Sequence, residues 1–360
     1  MIGFTRLDRL LGFRVLAAIA LAWLSLVGFD VFLTFARESR AAGTGDYTLG
    51  TAFLYVLATA PRRAHELFPT AAVIGAVAGL GAFAPTAELT AMRAGGWSKL
   101  RIAGGALVWI ALLTAAVVLM GETVSSWSER QAQALRAGAQ SRDLVATGRS
   151  GVWAREGDTL INARRGEALP DRLVLHEVRL FEFDAEGRLT ALVTAAQAVH
   201  DGGGWHLDEV VRQAFDAAGV TTTREPRLDW GAALDPRLLS MSLVQPKYMN
   251  IRDLRAAIAY YERNGIEHAE HDSALWARVF YPINVLVLTL IAMPFAFGNL
   301  RTGGLGKRLM IGILVAVGWF FAQRAIIDIA EVYGTPFWLA QLVPVLVLGG
   351  VAGWYYRRHG

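Results

Sequence analysis

Cysteine is absent from the 360 residues. No disulfide scaffold, zinc-thiolate site or thiol nucleophile is therefore available. Charge is scarce too: charged residues make up 18% against 54% hydrophobic, too apolar a balance for an ordinary soluble domain. The net charge of +4 is spread out, with no basic stripe interleaved with aromatics, so nucleic acid is not an expected partner. A nucleotide loop is missing. Gly303-Gly-Leu-Gly-Lys307-Arg308 resembles one, but the pattern's first Gly falls at Arg301 and Arg308 fills the Ser/Thr slot that holds magnesium. No strand precedes it, and it reads as a basic turn. His268-Ala-Glu-His271 matches neither zincin spacing and reads as a solvated helix start rather than a metal site. No Ser/His/Asp set or carboxylate pair stands out. The expectation is a chain with no catalytic residues, no metal and no cofactor of its own.

Long uncharged runs are what the chain has instead, and they mark a membrane protein. Leu11 to Phe35 follows Arg6, Arg9 and Arg14 and reads as an uncleaved anchor, with Asp30 inside it. The run Leu49 to Ala60 is too short to span and is expected to end at Pro61-Arg62-Arg63. Glu66 to Ala84 is the second span. Its Gly75 and Gly79 form a small-residue face that suits either a subunit interface or packing within one chain. Ile102 to Met120 is the third, with a helix over Gln131 to Arg142 that extends it. Val279 to Phe297, bent at Pro294, Leu309 to about Ile327, and Phe337 to Trp354 complete six. Arg324, Asp328 and Glu331 lie near the end of the fifth span, where function and snorkelling are equally open readings.

Between the halves the composition turns polar. Val152 to Arg164, broken at Glu156-Gly157, Leu173 to Phe183, Leu189 to Val199, Trp205 to Phe215 and Val220 to Trp230 are short runs separated by turns, the pattern of an all-β sandwich, jelly roll or open barrel. A helix from Asn250, with Asp253 in capping position, stops at Gly265. The expected division is a transmembrane half over 1–121, a β domain with flanking helices over 122–272, and a second transmembrane half over 273–360. Lys and Arg orient it. Arg6, Arg9, Arg14, Arg93, Lys99, Arg101, Arg301, Lys307, Arg308, Arg357 and Arg358 fall on one side, and only Arg37, Arg40, Arg62 and Arg63 in short loops of the other. The first side is cytoplasmic with both termini, and the β domain lies outside.

The stretch Pro85 to Ser98 joins the second and third spans. Thr86 is suited to cap a helix, Glu88 sits in its first turn, and Gly95-Gly96 supplies a stop. Such an element is either a capped connector or a rigid knob on which a soluble motor pushes.

In its order of short motifs the chain resembles the permease subunits of the lipopolysaccharide-export ABC transporter, most closely the G-type branch. These are Leu7-Asp-Arg9, Phe68-Pro69, Ala87-Glu-Leu89 with Met92 and Gly96, Gly121-Glu122, Gly151-Val-Trp-Ala154 and Val332-Tyr-Gly334. The resemblance implies a polytopic α-helical membrane protein of six helices (3 + 3) with an inserted periplasmic jelly-roll-like domain, in the inner membrane of a Gram-negative bacterium. It implies a heterodimer with an F-type permease, a cytoplasmic ATPase dimer that binds ATP and Mg, a single-span periplasmic bridging protein, and lipopolysaccharide as cargo. The F-type subunit itself, a permease for another envelope lipid, and an anchored scaffold or sensor are the alternatives; the short cytoplasmic segments disfavour the sensor. By resemblance, Glu88, Leu89, Met92, Arg93 and Gly95 form the coupling element about residues 86–96 that docks on the ATPase. Arg37, Arg40, Arg62, Arg63, Leu67, Phe68 and Arg136 are candidates to meet the lipid. The sequence departs from the G-type pattern at Thr34, Ala41 and Gln133, where Lys or Arg is frequent. Asp30, Arg324 and Asp328 are the polar groups inside spans.

Overall fold

The computed structural model describes residues 6–43, 47–83, 86, 88–139, 152–156, 158–168, 172–184, 186–201, 204–216, 219–231, 245–297 and 305–359. The chain divides into two compact units. One comprises Met1–Arg40, Val56–Glu129 and Asp272–Gly360, the other Ala41–Tyr55 and Arg130–His271.

Helices α1 (Arg6–Glu38) and α2 (Leu49–Gly81) come first. A short α3 (Glu88–Ala94) precedes α4 (Lys99–Met120), which runs through a π-helical turn, Gly121–Ser125, into α5 (Ser126–Ala139). After the strands come α6 (Ile251–Arg263), α7 (Ala269–Ala292), α8 (Leu305–Val332) and α9 (Phe337–His359). Among the described residues, six helical segments are long and apolar enough to cross a membrane. Pro294 lies where α7 tightens into a 3-10 turn, Met293–Phe297.

The expected break at Pro61 is absent. Leu49 to Gly81 is one helix with Pro61 and Pro69 inside it. At 1.5 Å per residue it is about 50 Å long, beyond the ~30 Å of a bilayer's hydrocarbon. Leu49 to Ala60 therefore continues the second span rather than standing apart from it. Arg62 and Arg63 sit within this helix and not in a loop. They are tolerated because each meets a carboxylate: Arg62 Nε lies 2.9 Å from Glu129 Oε2, its Nη1 2.7 Å from Glu66 Oε1, and Arg63 Nη1 2.7 Å from Asp30 Oδ2. α8 begins at Leu305, so Lys307 and Arg308 lie in its first turns; residues 301–304 lie outside the described set.

The core of this unit gathers Leu11, Val15 and Ile19 of α1, Phe68, Ala72, Ala76 and Leu80 of α2, Ile102, Ala106 and Ile110 of α4, and Val285 of α7. Gly75 and Gly79 turn out to serve this packing. A Cβ on Gly75 would fall on the Ile19 backbone, and one on Gly79 would lie 2.7 Å from Val15 Cα. The small-residue face thus brings α2 against α1 of the same chain.

The other unit holds β1 (Val152–Glu156), β2 (Thr159–Ala168), β3 (Leu173–Phe183), β4 (Leu189–His200), β5 (Trp205–Asp216) and β6 (Gly219–Trp230). Each strand pairs antiparallel with the next in one six-stranded sheet. This inserted β domain is a meander; the described strands include no Greek-key crossover of the jelly-roll kind. Among the described residues the strands form this one sheet, and a sheet must find something to cover its apolar face. Here a crease supplies it. Leu173 and Leu175 face inward on β3, then Val178 and Leu180 do, so the facing parity switches at Glu177. β5 switches likewise at Glu209, between Leu207 and Val210. Both glutamates have left-handed backbones, φ 51° and 55°, a conformation that costs a non-glycine residue about 1–3 kcal/mol. The ladder is interrupted along one line across the sheet: Arg164 opposite Glu177, Glu177 opposite Ala196, Ala196 opposite Glu209, and Glu209 opposite Pro226. Proline, which has no N–H to donate, falls on that line. Residues from both sides of the crease, Leu175, Ala198, Trp205 and Leu207 with Ile161, Val178, Leu180 and Val193, form one core.

The α1–α2 contact generates a prediction. Gly75→Ala forces backbones apart and should destabilise by about 1–3 kcal/mol, the usual range for overpacking. Gly104→Ala, which meets nothing within 4 Å, is the control and should leave the melt unchanged or raised. Thermal unfolding in detergent compares the two.

Candidate functional site

Two polar regions stand out in the helical unit. The first surrounds α3. Its chain leaves α2 through Phe83, whose carbonyl accepts from the Thr86 hydroxyl at 3.2 Å. The expected role of Thr86 as cap is thus taken up by a bond back toward α2, and the helix starts at Glu88 rather than 86. Its end is closed as the glycines foretell. Gly96 adopts φ 88°, its N–H donates to Arg93 O at 3.0 Å, and the Trp97 N–H donates to Met92 O at 3.1 Å. That is a Schellman closure.

Leu89 and Met92 are buried in the helical core. They anchor α3 and so are not on its free face. That face carries Thr90, Ala91, Arg93, Ala94 and Gly95, all exposed. Glu88 is half-buried; its Oε1 lies 3.9 Å from Arg14 Nη1, and the Arg14 guanidinium stands over the Phe83 ring at 4.7 Å. A contact that long leaves the carboxylate able to take a closer cationic partner.

The second region is a belt of ion pairs on α1, α2, the π-turn, α5 and α7. Besides the pairs of Arg62 and Arg63, Arg278 Nη1 lies 2.8 Å from Glu122 Oε1 in the π-turn. His65 stacks on Tyr281 with centroids 4.2 Å apart, and the Tyr281 hydroxyl donates to the His65 carbonyl at 2.7 Å. Phe68 is fully buried and meets Trp23 edge-on at 5.3 Å. The residue expected on a lipid path is thus a core residue, with Leu67 half-buried beside it. Arg37 is exposed and donates to Thr34 Oγ1 at 3.1 Å, and Arg40 is exposed. The Arg136 side chain lies outside the described residues. Arg324 Nε sits 3.1 Å from Asp328 Oδ1, both largely exposed on α8. Among the described residues, no three His, Cys, Asp or Glu converge as metal ligands.

A family model described as the lipopolysaccharide export system permease LptF/LptG matches residues 9–358. The chain belongs to the LptF/LptG family. It is 29% identical over 355 residues to a Haemophilus influenzae protein named lipopolysaccharide export system permease protein LptG, covering 98% of both chains. It is 26% identical over 358 residues, 99% of both chains, to the Escherichia coli K12 protein of the same name.

As a member of the LptF/LptG family the chain is a polytopic permease, and its geometry accounts for two of the motifs that carried the resemblance. Asp8 of Leu7-Asp-Arg9 is buried, and both its oxygens accept from Arg101, Nη1 to Oδ1 at 2.7 Å and Nη2 to Oδ2 at 2.8 Å. Gly121-Glu122 opens the π-turn, where Gly121 leaves room for His65 and Glu122 meets Arg278. Sequence reasoning did not assign either role. An acidic residue in the first turn of α1 was the available signal, but its partner lies 93 residues away.

The belt makes a testable distinction. Glu129 is buried, and Arg62→Met takes its guanidinium away, which should cost about 3–5 kcal/mol; Arg62→Met with Glu129→Met should recover most of that. Thermal melts of the singles and the double complete the cycle.

Proposed function

We propose that this chain is the G-type permease subunit of an inner-membrane lipopolysaccharide exporter, with both termini cytoplasmic and the β domain periplasmic. It pairs with an F-type permease and is driven by a cytoplasmic ATPase dimer, which binds the ATP and Mg. The lipid then passes to the β domains and to a single-span bridging protein. The observation that carries this reading is α3: a closed helix of seven residues between two spans, anchored by Leu89 and Met92, with Glu88 only loosely held. Force from outside the chain needs a stiff point of application, and α3 has that form.

Arg93 and Gly95 on its free face belong to the docking surface with Glu88, while Leu89 and Met92 hold it from behind. For the cargo, phosphates need cationic groups at headgroup depth. Arg62 and Arg63 are neutralised by Glu129, Glu66 and Asp30, so the leading phosphate contacts are Arg37, Arg40 and Arg136. Asp30 then serves as a partner for Arg63 and not as a ligand.

Affinity purification of the native complex tests this. A stoichiometric ATPase and a second six-span chain should accompany the wild type; a chain recovered alone contradicts the reading. Glu88→Lys should insert and melt as wild type yet lose the ATPase on washing, because like charges then meet at the docking surface. Full ATPase retention in Glu88→Lys would remove Glu88 from the interface.

A further inference from the structure

α3 is linked to α1 at both of its ends, directly at the first and through the start of α4 at the second. At its start, Glu88 faces Arg14. At its finish, Trp97 completes the Schellman closure, Ser98 accepts the Arg101 N–H at 3.1 Å as cap of α4, and the Arg101 guanidinium lies over the Trp97 ring at 4.6 Å while gripping Asp8 with both arms. Five consecutive residues, Trp97 to Arg101, therefore join the end of α3, the start of α4 and the first turn of α1. The spans match: Asp8 to Arg14 is about 9 Å along α1, and the seven residues of α3 are about 10 Å.

The pair is built with care that stability does not explain. Asp8 is 2% exposed. Buried ion pairs often contribute no more than a well-packed apolar substitute. Room for the carboxylate is made by Gly105, where a Cβ would lie 2.6 Å from Asp8 Oδ1. A glycine inside a helix itself costs about 1 kcal/mol against alanine. A bidentate guanidinium–carboxylate fork, with the cation also fixed on an indole face, provides defined geometry above all.

We infer that the Asp8–Arg101 pair, seated on Trp97 and accommodated by Gly105, is the positioning device that carries displacement of α3 into α1. This rests on α3 being the point where the ATPase pushes. α1 bears Arg37, one of the proposed phosphate contacts, in its last turn, so rotation or translation of α1 moves that cation. Without the fork α3 still docks and the ATPase still turns over, but the motion is absorbed at the α1–α4 contact.

The test uses the whole complex in lipid nanodiscs loaded with lipopolysaccharide, reading ATP hydrolysis and lipid release side by side. Asp8→Asn removes the charge at constant shape, and Arg101→Lys keeps the charge but loses the fork. Both should hydrolyse ATP at near the wild-type rate while lipid released per ATP falls by about fivefold or more, the scale of an ordinary coupling energy. The absence of native cysteine permits a rescue. A Cβ at position 105 would lie 3.6 Å from Asp8 Cγ, so Asp8→Cys with Gly105→Cys is placed to form a disulfide. Oxidised, that double variant should regain release per ATP; reduced, it should lose it. Wild-type release per ATP in both single variants, a parallel fall of hydrolysis and release, or no difference between the oxidised and reduced double variant would each overturn the inference. A wild-type complex that contains no ATPase is the different failure, that of the functional reading itself.

Discussion

A charge inside an apolar helical bundle must find its opposite, and the helical unit is arranged around that requirement. Arg62 and Arg63 of α2 meet Glu129 of α5 and Asp30 of α1; Arg278 of α7 meets Glu122; Arg101 of α4 meets Asp8 of α1. Each pair joins two elements distant in sequence, so the pairs fix which helices are neighbours and in what rotation. Dispersion and glycine-lined contacts, as where α2 meets Ile19 and Val15, then close the gaps. The pairing also sorts the cations by role. Those locked to carboxylates hold the bundle, while Arg37, Arg40 and Arg93 remain exposed.

Local chemistry made much of the architecture legible. The six apolar runs, the strand boundaries, and the glycine stops at Gly96 and Gly265 follow from residues within a few positions of one another. What was not legible depended on distant partners. Pro61-Arg62-Arg63 looks like a helix end because the carboxylates that neutralise it are Asp30 and Glu129, 33 and 67 residues away. Phe68 and Met92 look like surface candidates, but Phe68 is buried with Trp23 of α1 against it and Met92 lies in the helical core. In the β domain the irregular alternation was itself the message. Leu173, Leu175, Val178 and Leu180 break a period of two because the sheet is creased at Glu177, which lets residues on both sides share one core. The left-handed backbones at Glu177 and Glu209 have no glycine to announce them.

On the proposed function, these features give the two ends of the helical unit different work. Around α3 the contacts are stiff: a Schellman closure, two buried anchors and a bidentate ion pair lie within a few residues. Where Arg63 meets Asp30 and Arg62 meets Glu129 and Glu66, the charges are satisfied internally, whereas Arg37 and Arg40, at the last turn of α1 and just beyond it, are exposed. Under the proposed function, a permease of the LptF/LptG family built in this way would take energy at one end and handle headgroups at the other, with α1 common to both.

The most direct test of that division is photocrosslinking in the assembled, ATP-driven complex, with a photoreactive residue placed once at Arg40 and once at Phe68. Lipopolysaccharide should be captured from position 40 only when the ATPase turns over, and position 68, enclosed in the core, should capture none above background. Capture at position 68 instead of 40, or at neither during turnover, would contradict the division of cations and the lipid path drawn from it.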